Sequence, residues 1–225
     1  MIKIVISGYG KMGHMVEQAA FQKGVQIASI SEDICAVNPN TAAECVCIDF
    51  TTPDAFRQNY PKLASMFKAV VVGTTGWYDI KDEVFDAFRR SGSTLIWASN
   101  FSLGVNAFFA ALQKACEVLA KGEYSASVEE IHHVLKLDAP SGTAKSIAGI
   151  IHDALGCEVP IESKRIREVP GTHIARFESS VDCLTFTHEA FSRKGFALGA
   201  VEAALMSESL ESGVYEFKDL ILKEI

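Results

Sequence analysis

The sequence predicts an α/β chain in which a doubly wound parallel sheet precedes a second, α+β domain built on a mixed or antiparallel sheet. Three observations carry this. Five short, nearly continuous apolar runs alternate with helix-sized segments over residues 1–102, the pattern of a parallel sheet covered on both faces. A glycine-rich turn closes the first run and opens a helical pattern. Beyond residue 102 the extended runs lengthen and alternate in polarity, as in Cys183-Leu184-Thr185-Phe186-Thr187-His188, which suits a sheet with one covered face.

Taken in order, Ile2 to Ser7 is a β-branched strand that stops at Gly8-Tyr9-Gly10-Lys11-Met12-Gly13. Met12, Val16, Ala19 and Ala20 then recur at helical spacing, and Gly24 ends that helix. Val25 to Ser31 is a second strand, closed by Glu32-Asp33. Cys45 to Phe50 is a third, followed by a helical pattern from Pro53 through Tyr60. Ala69 to Val72 and Ser93 to Ala98 are the fourth and fifth, closed by Gly73-Thr74-Thr75-Gly76 and Ser99-Asn100-Phe101-Ser102. Gly104 to Ala120 is helical, Tyr124 to Leu135 extended, Ser141 to Leu155 helical, and Ile174 to Ala190 holds two extended runs. A helix over Phe196 to Glu208 and an extended Tyr215 to Leu222 close the chain. The expected domains are residues 1–102 with 196–225, and residues 103–195.

The 225 residues carry 21 Lys+Arg against 28 Asp+Glu, a net charge of −7, with 48% hydrophobic residues. No basic run offers a surface for nucleic acid or an anionic membrane. An anionic ligand must therefore meet a local cluster of positive groups. The six cysteines show no CxxC or zinc-ribbon spacing, so they are expected as reduced thiols, with no metal. The opening apolar run is too short for a signal peptide and no 18-residue apolar stretch occurs. The chain reads as cytoplasmic.

Two constellations carry chemistry. In the first, Gly8, Gly10 and Gly13 follow a strand and open a helix, and Glu32 ends the next strand about 20 residues on. Glycine permits a tight turn and close backbone approach to a pyrophosphate at the helix N-terminus, while the acid accepts ribose hydroxyls. This is a Rossmann-like dinucleotide fingerprint. Two carboxylates at Glu32-Asp33 repel a 2′-phosphate, so NADH is the preferred cofactor; Lys11, the nearby cation, leaves NADPH open. In the second, Glu130 to Ala144 reads E-I-H-H-V-L-K-L-D-A-P-S-G-T-A. His132, His133 and Lys136 make a positive spot at a strand end, and Ser141-Gly142-Thr143 open a helix whose free amides suit a carboxylate. His132 and Lys136 are residue types from which a proton donor at neutral pH is drawn. Adjacent histidines on a strand face opposite ways, so His132 and His133 do not chelate one metal.

This run closely resembles the signature of the 4-hydroxy-tetrahydrodipicolinate reductase (dihydrodipicolinate reductase) family. The likeness continues in I-S-G-Y-G-K-M-G at the start, I-D-F-T-T-P at Ile48 to Pro53, V-G-T-T-G at Val72 to Gly76 and A-S-N-F-S-L-G-V-N at Ala98 to Asn106. T-H-E-A-F-S-R at Thr187 to Arg193 and F-A-L-G-A at Phe196 to Ala200 extend it. The resemblance implies NAD(P)H-dependent reduction of a cyclic dicarboxylate on the diaminopimelate route to lysine. It further implies that Gly8, Tyr9, Gly10, Lys11, Met12 and Gly13 hold the pyrophosphate and Glu32 the adenosine ribose. Gly73, Thr74, Thr75, Ala98, Ser99, Asn100 and Phe101 would line the nicotinamide end. His132 would be the acid or relay, Lys136 a proton donor, and His133 with Ser141, Gly142 and Thr143 the carboxylate grip. The family's second domain pairs strands between subunits into a homotetramer. Two departures stand out: Asp33 replaces a basic residue often found there, and the stretch from Ile161 to Phe177 is short, leaving Arg167 and His173 without an assigned substrate role. A related dehydrogenase of an amino acid and a non-catalytic NAD(P)H sensor are the alternatives; neither accounts for the His132-His133-Lys136-Ser141-Gly142-Thr143 run.

Overall fold

The computed structural model describes residues 2–222. The chain divides into two compact units, Met1–Ser102 with Lys194–Ile225, and Leu103–Arg193. Residues 223–225 of the expected first domain lie outside the described residues.

The first unit holds β1 (Lys3–Ser7), α1 (Lys11–Gln22), β2 (Gln26–Ser31), α2 (Pro39–Ala43), β3 (Val46–Asp49), α3 (Pro53–Met66), β4 (Ala69–Val72), α4 (Lys81–Ser91) and β5 (Thr94–Trp97). The other unit then intervenes with α5 (Leu103–Leu119), β6 (Ser125–His132), α6 (Gly142–Leu155), β7 (Ile161–Arg165), β8 (Gly171–Glu178) and β9 (Cys183–Ala190). The chain returns to the first unit with α7 (Lys194–Met206), β10 (Val214–Glu216) and α8 (Phe217–Leu222).

The first sheet runs β10-β5-β4-β3-β1-β2, all parallel. Because strand side chains alternate, the apolar runs split between two cores. Ile4, Ile6, Val46, Ile48, Val71 and Ile96 pack against α1, α7 and α8. Val5, Cys47, Val70, Val72, Leu95 and Trp97 pack on the opposite face against Phe56, Leu63, Val84, Phe88 and Trp77. The sheet order reverses between β1 and β3, the switch point where an open α/β sheet leaves a crevice at its carboxyl edge.

The second sheet runs β7-β6-β8-β9. β6 and β7 are parallel, whereas β6–β8 and β8–β9 are antiparallel, so the sheet is mixed, as expected. Ala126, Val128, Ala175 and Phe177 pack one face against Phe108, Leu112 and Cys116 of α5 and Ile147 and Ile151 of α6.

Three expectations about elements are corrected. The segment from Tyr215 is extended only to Glu216; Phe217 and Leu220 then take helical spacing in α8, with both side chains buried. The helix from Pro53 runs through Pro61 to Met66: the backbone bond lost to proline is offset by burial of Leu63 and Ala64 on the face begun by Phe56. The strand from Tyr124 stops at His132 rather than Leu135, because Val134 and Leu135 find no apolar cover and are 60% and 80% exposed.

Candidate functional site

In the first unit the glycines of the turn are required by space. Gly8 has φ of +86°, and a Cβ there would lie 2.6 Å from the Phe50 carbonyl oxygen; a Cβ on Gly13 would lie 2.2 Å from that of Gly8. Gly10 is the N-cap of α1 and brings no side chain to the cap, so the first-turn amides have no intrahelical acceptor and no capping side chain. This cradle fits a pyrophosphate. The Tyr9 ring lies 3.9 Å from that of His14, and its hydroxyl donates to Glu17 at 2.5 Å. Met12 packs into the core and Lys11 is exposed. Glu32 follows directly on β2. Asp33 spends its carboxylate accepting from the Cys35 amide at 2.9 Å. Lys62 is a cation near Asp33, its pKa raised chiefly by the Cys35 side chain and also by the Asp33 charge. It lies on α3, far off in sequence from β2, so local reading could not find it.

The remaining loops at this edge are tied together by Asp49, a residue the sequence analysis passed over. Its fully buried carboxylate accepts from Ser7 Oγ at 2.7 Å, Thr74 Oγ1 at 2.6 Å and Thr51 Oγ1 at 3.0 Å. Burial pushes this carboxyl up, with the three hydroxyls pulling the other way. Thr74 is thereby committed to the protein, and its carbonyl also accepts from Trp77 Nε1 at 2.7 Å; Thr75 is exposed. Gly73 lies under Phe50, where a Cβ would meet the ring at 2.1 Å. Ala98 and Phe101 are buried, Ser99 is exposed, and Asn100 accepts from the Ser102 amide at 2.9 Å. Phe101 rests on α7, where Gly199 is obligatory because a Cβ would lie 1.8 Å from the Phe101 carbonyl oxygen.

In the second unit, the covered face of the sheet changes character at one end. Along β6 the inward residues run Ala126, Val128, Glu130, His132, and cross-strand pairing places His173 of β8 beside Glu130 and His188 of β9 beside His173. The rings of His132 and His173 lie 5.1 Å apart, and those of His173 and His188 6.4 Å apart. His132 Nδ1 is 3.1 Å from Glu130 Oε2, off the line of a ring N–H. Gly171 keeps β8 clear of His132, for a Cβ there would lie 3.1 Å from its Nε2.

Burial works against charge on Glu130, but hydrogen bonds from the Ser141 amide and the Arg165 guanidinium outweigh it, and its carboxyl falls to about 2. Burial holds the histidines neutral: His132 and His188 are lowered, and His173 falls to about 4 with the neighbouring His132 adding to the effect. Glu130, His132 and His173 offer ligand atoms within 4.8 Å of one another, a donor set a zinc-class ion accepts. The Arg165 guanidinium, 3.1 Å from Glu130 Oε1, already neutralises the carboxylate.

Ser141 caps α6: its hydroxyl accepts from the Ala144 amide at 3.1 Å and lies 3.3 Å from His173 Nε2, while its own amide donates to Glu130 Oε1 at 3.1 Å. The side chain is thus used within the protein. The Gly142 and Thr143 amides precede the first intrahelical bond, from Lys145 N–H to the Ser141 carbonyl, and are the groups at this helix start suited to an anion. Lys136, in the loop after β6, donates to Asp138 Oδ1 and Oδ2 at 2.7 and 2.9 Å, which depresses the Asp138 carboxyl. His133 faces away from His132 and lies 3.4 Å from Arg193 Nη2, a cation absent from the sequence-based site. Glu130 and His173 were legible only through strand parity and pairing.

A doubly wound unit with a dinucleotide-type cradle, joined in one chain to a unit that gathers histidines and a lysine at one end of a mixed sheet, fits a pyridine-nucleotide-dependent oxidoreductase. Its sequence matches the family profile "Dihydrodipicolinate reductase, N-terminus" over residues 2–101 and "Dihydrodipicolinate reductase, C-terminus" over residues 104–221. The chain belongs to the dihydrodipicolinate reductase family. It is 39% identical to a 4-hydroxy-tetrahydrodipicolinate reductase of Christiangramia forsetii, over 98% of each chain. To the reductase of that name from Akkermansia muciniphila it is 32% identical, again over 98% of each. A dihydrodipicolinate reductase structure from Paenisporosarcina sp. TG-14, solved with dipicolinate bound, shares the fold with a TM-score of 0.81 at 19% identity, covering 97% of this chain and 99% of that one.

Proposed function

We propose that this chain reduces 4-hydroxy-tetrahydrodipicolinate to tetrahydrodipicolinate with NADH as the preferred hydride donor and NADPH as a weaker one. The first unit is the cofactor-binding domain, with Gly8 to Gly13 on the pyrophosphate, Glu32 on the ribose, and the loops at Gly73–Thr75 and Ala98–Phe101 on the nicotinamide side. The second unit is the substrate-binding and oligomerisation domain. The observation that carries the reading is the assembly of Glu130, His132, His173 and the α6 start at one end of its sheet, beside the Lys136 loop.

Loss of the 4-hydroxyl as water leaves a ring carbon conjugated to C=N, and the nicotinamide, when bound, would supply a hydride to that carbon. The chain must then stabilise the charge that builds on the ring nitrogen and deliver a proton to it. Lys136 is suited to both, since its pairing with Asp138 positions its side-chain nitrogen in the loop after β6. His132, held neutral, serves as relay and hydrogen-bond partner. His133 with Arg193, and the Gly142 and Thr143 amides, meet the two substrate carboxylates. Dicarboxylate binding is also what the dipicolinate-bound relative displays. The family resemblance carries a homotetramer and a cytoplasmic location; among the described residues no helix is long and apolar enough to cross a membrane.

The test follows loss of nicotinamide absorbance, with NADH and NADPH separately, when substrate is generated in situ from pyruvate and aspartate semialdehyde by a condensing synthase. Turnover that requires both proteins, with the lower KM for NADH, is expected. Lys136→Ala should lose about 100-fold or more in kcat; near-normal kcat refutes its assignment.

A further inference from the structure

We propose that Arg165 is a positioning residue that holds the loop carrying Lys136 and the carboxylate facing His132 in one geometry. This rests on the roles given to Lys136 and His132 above. Arg165 ends β7, paired in register with His132 of β6. Its Nη2 donates to Glu130 Oε1 at 3.1 Å and to the Asp138 carbonyl at 2.6 Å, its Nε to the Lys136 carbonyl at 3.2 Å, and its Nη1 to the Lys164 carbonyl at 2.8 Å. One planar group thus grips the backbone of Lys136 and Asp138 and, through Glu130, faces the His132 ring.

The loop needs such a grip because apolar packing does not supply one. Val134, Leu135 and Leu137 are 60%, 80% and 98% exposed. Backbone bonds from Val134 to the Arg167 carbonyl and from Lys136 to that of His133 hold its first half; Arg165 reaches its second half, where the Lys136–Asp138 ion pair forms. A fork with five fixed donors can satisfy two carbonyls and a carboxylate oxygen at once, which a lysine ammonium on a flexible stem does not.

The experiment compares Arg165→Ala and Arg165→Lys with wild type in the coupled assay, measuring kcat and the KM for NADH. Misplacing a reacting group by about an ångström costs on the order of 100-fold, so kcat of Arg165→Ala should fall by about that factor. Its KM for NADH should stay within about two-fold, since the cofactor cradle is built from other residues. Millimolar guanidinium should restore part of the kcat of Arg165→Ala, while urea at the same concentration should not. Arg165→Lys, which keeps the charge beside Glu130, should remain at least about ten-fold impaired. Wild-type kcat in either variant overturns the proposal, as does failure of guanidinium to restore any activity to folded Arg165→Ala. Wild-type turnover and its loss in Lys136→Ala test the underlying reading separately, so a failure of that reading is told apart from a failure of the Arg165 proposal.

Discussion

Acidification should weaken the second unit through His173, and the amount can be worked from its surroundings. Its imidazole is 5% exposed, and burial with the neighbouring His132 lowers its pKa from 6.5 to about 4. A histidine with a folded pKa below its unfolded value takes up its proton more readily in the unfolded chain. Its contribution to stability is therefore complete above about pH 6.5 and is lost as pH falls through that value towards 4. At about pH 5 the unfolded chain is almost fully protonated at this position and the folded one about a tenth so, and the ratio of the binding polynomials corresponds to about 2 kcal/mol. The assay is native-state hydrogen exchange of the β6 and β8 amides at about pH 7.5 and pH 5, converted to opening free energies with intrinsic rates corrected for pH. His173→Gln retains a polar group near Ser141 but removes the titration. Wild type should lose about 2 kcal/mol more than this variant between the two conditions. Equal losses would refute the argument that His173 is held neutral by its burial.

Two further outcomes follow from the first unit. Gly199→Ala places a methyl group 1.8 Å from the Phe101 carbonyl oxygen, so α7 or the loop carrying Phe101 must shift; a loss of about 3 kcal/mol or more in urea denaturation is expected, and unchanged stability would mean that the contact is loose. Asp49→Ala strands the buried hydroxyls of Ser7 and Thr74 and the half-buried one of Thr51, at about 1–3 kcal/mol for each buried donor before relief of the buried charge, and should raise the KM for NADH more than that for the dicarboxylate.

The parallel sheet was legible in the sequence because strands covered on both faces leave apolar runs that need no partner to be recognised. The glycine cradle was legible for a related reason: Gly8 and Gly13 sit where their own backbone excludes a Cβ. Less visible were residues whose role arises from pairing. Asp49 reads as the polar end of an apolar run until Ser7, Thr51 and Thr74 from three strand ends close around it. Arg165 belongs to a stretch that carries no strand pattern of its own, and its partners lie in another segment. Glu130 was inside the quoted run, yet its contact with His132 follows only once both are placed on the inward face of β6. Ser141 was expected at the substrate, and the structure commits its hydroxyl to the cap and to His173.

Both tryptophans of the chain, Trp77 and Trp97, are in the first unit, and Trp77 donates its indole N–H to the carbonyl of Thr74, whose hydroxyl is bound by Asp49. The intrinsic fluorescence of this protein is therefore an optical label on one half of the molecule. One of its two fluorophores, Trp77, is part of the loop after β4 and is tied to Thr74 there, while the other half, whose one tyrosine is Tyr124, stays nearly dark. A titration followed by tryptophan emission will register events in the glycine-turn half, and unfolding confined to the histidine-bearing sheet must be followed by circular dichroism or exchange instead.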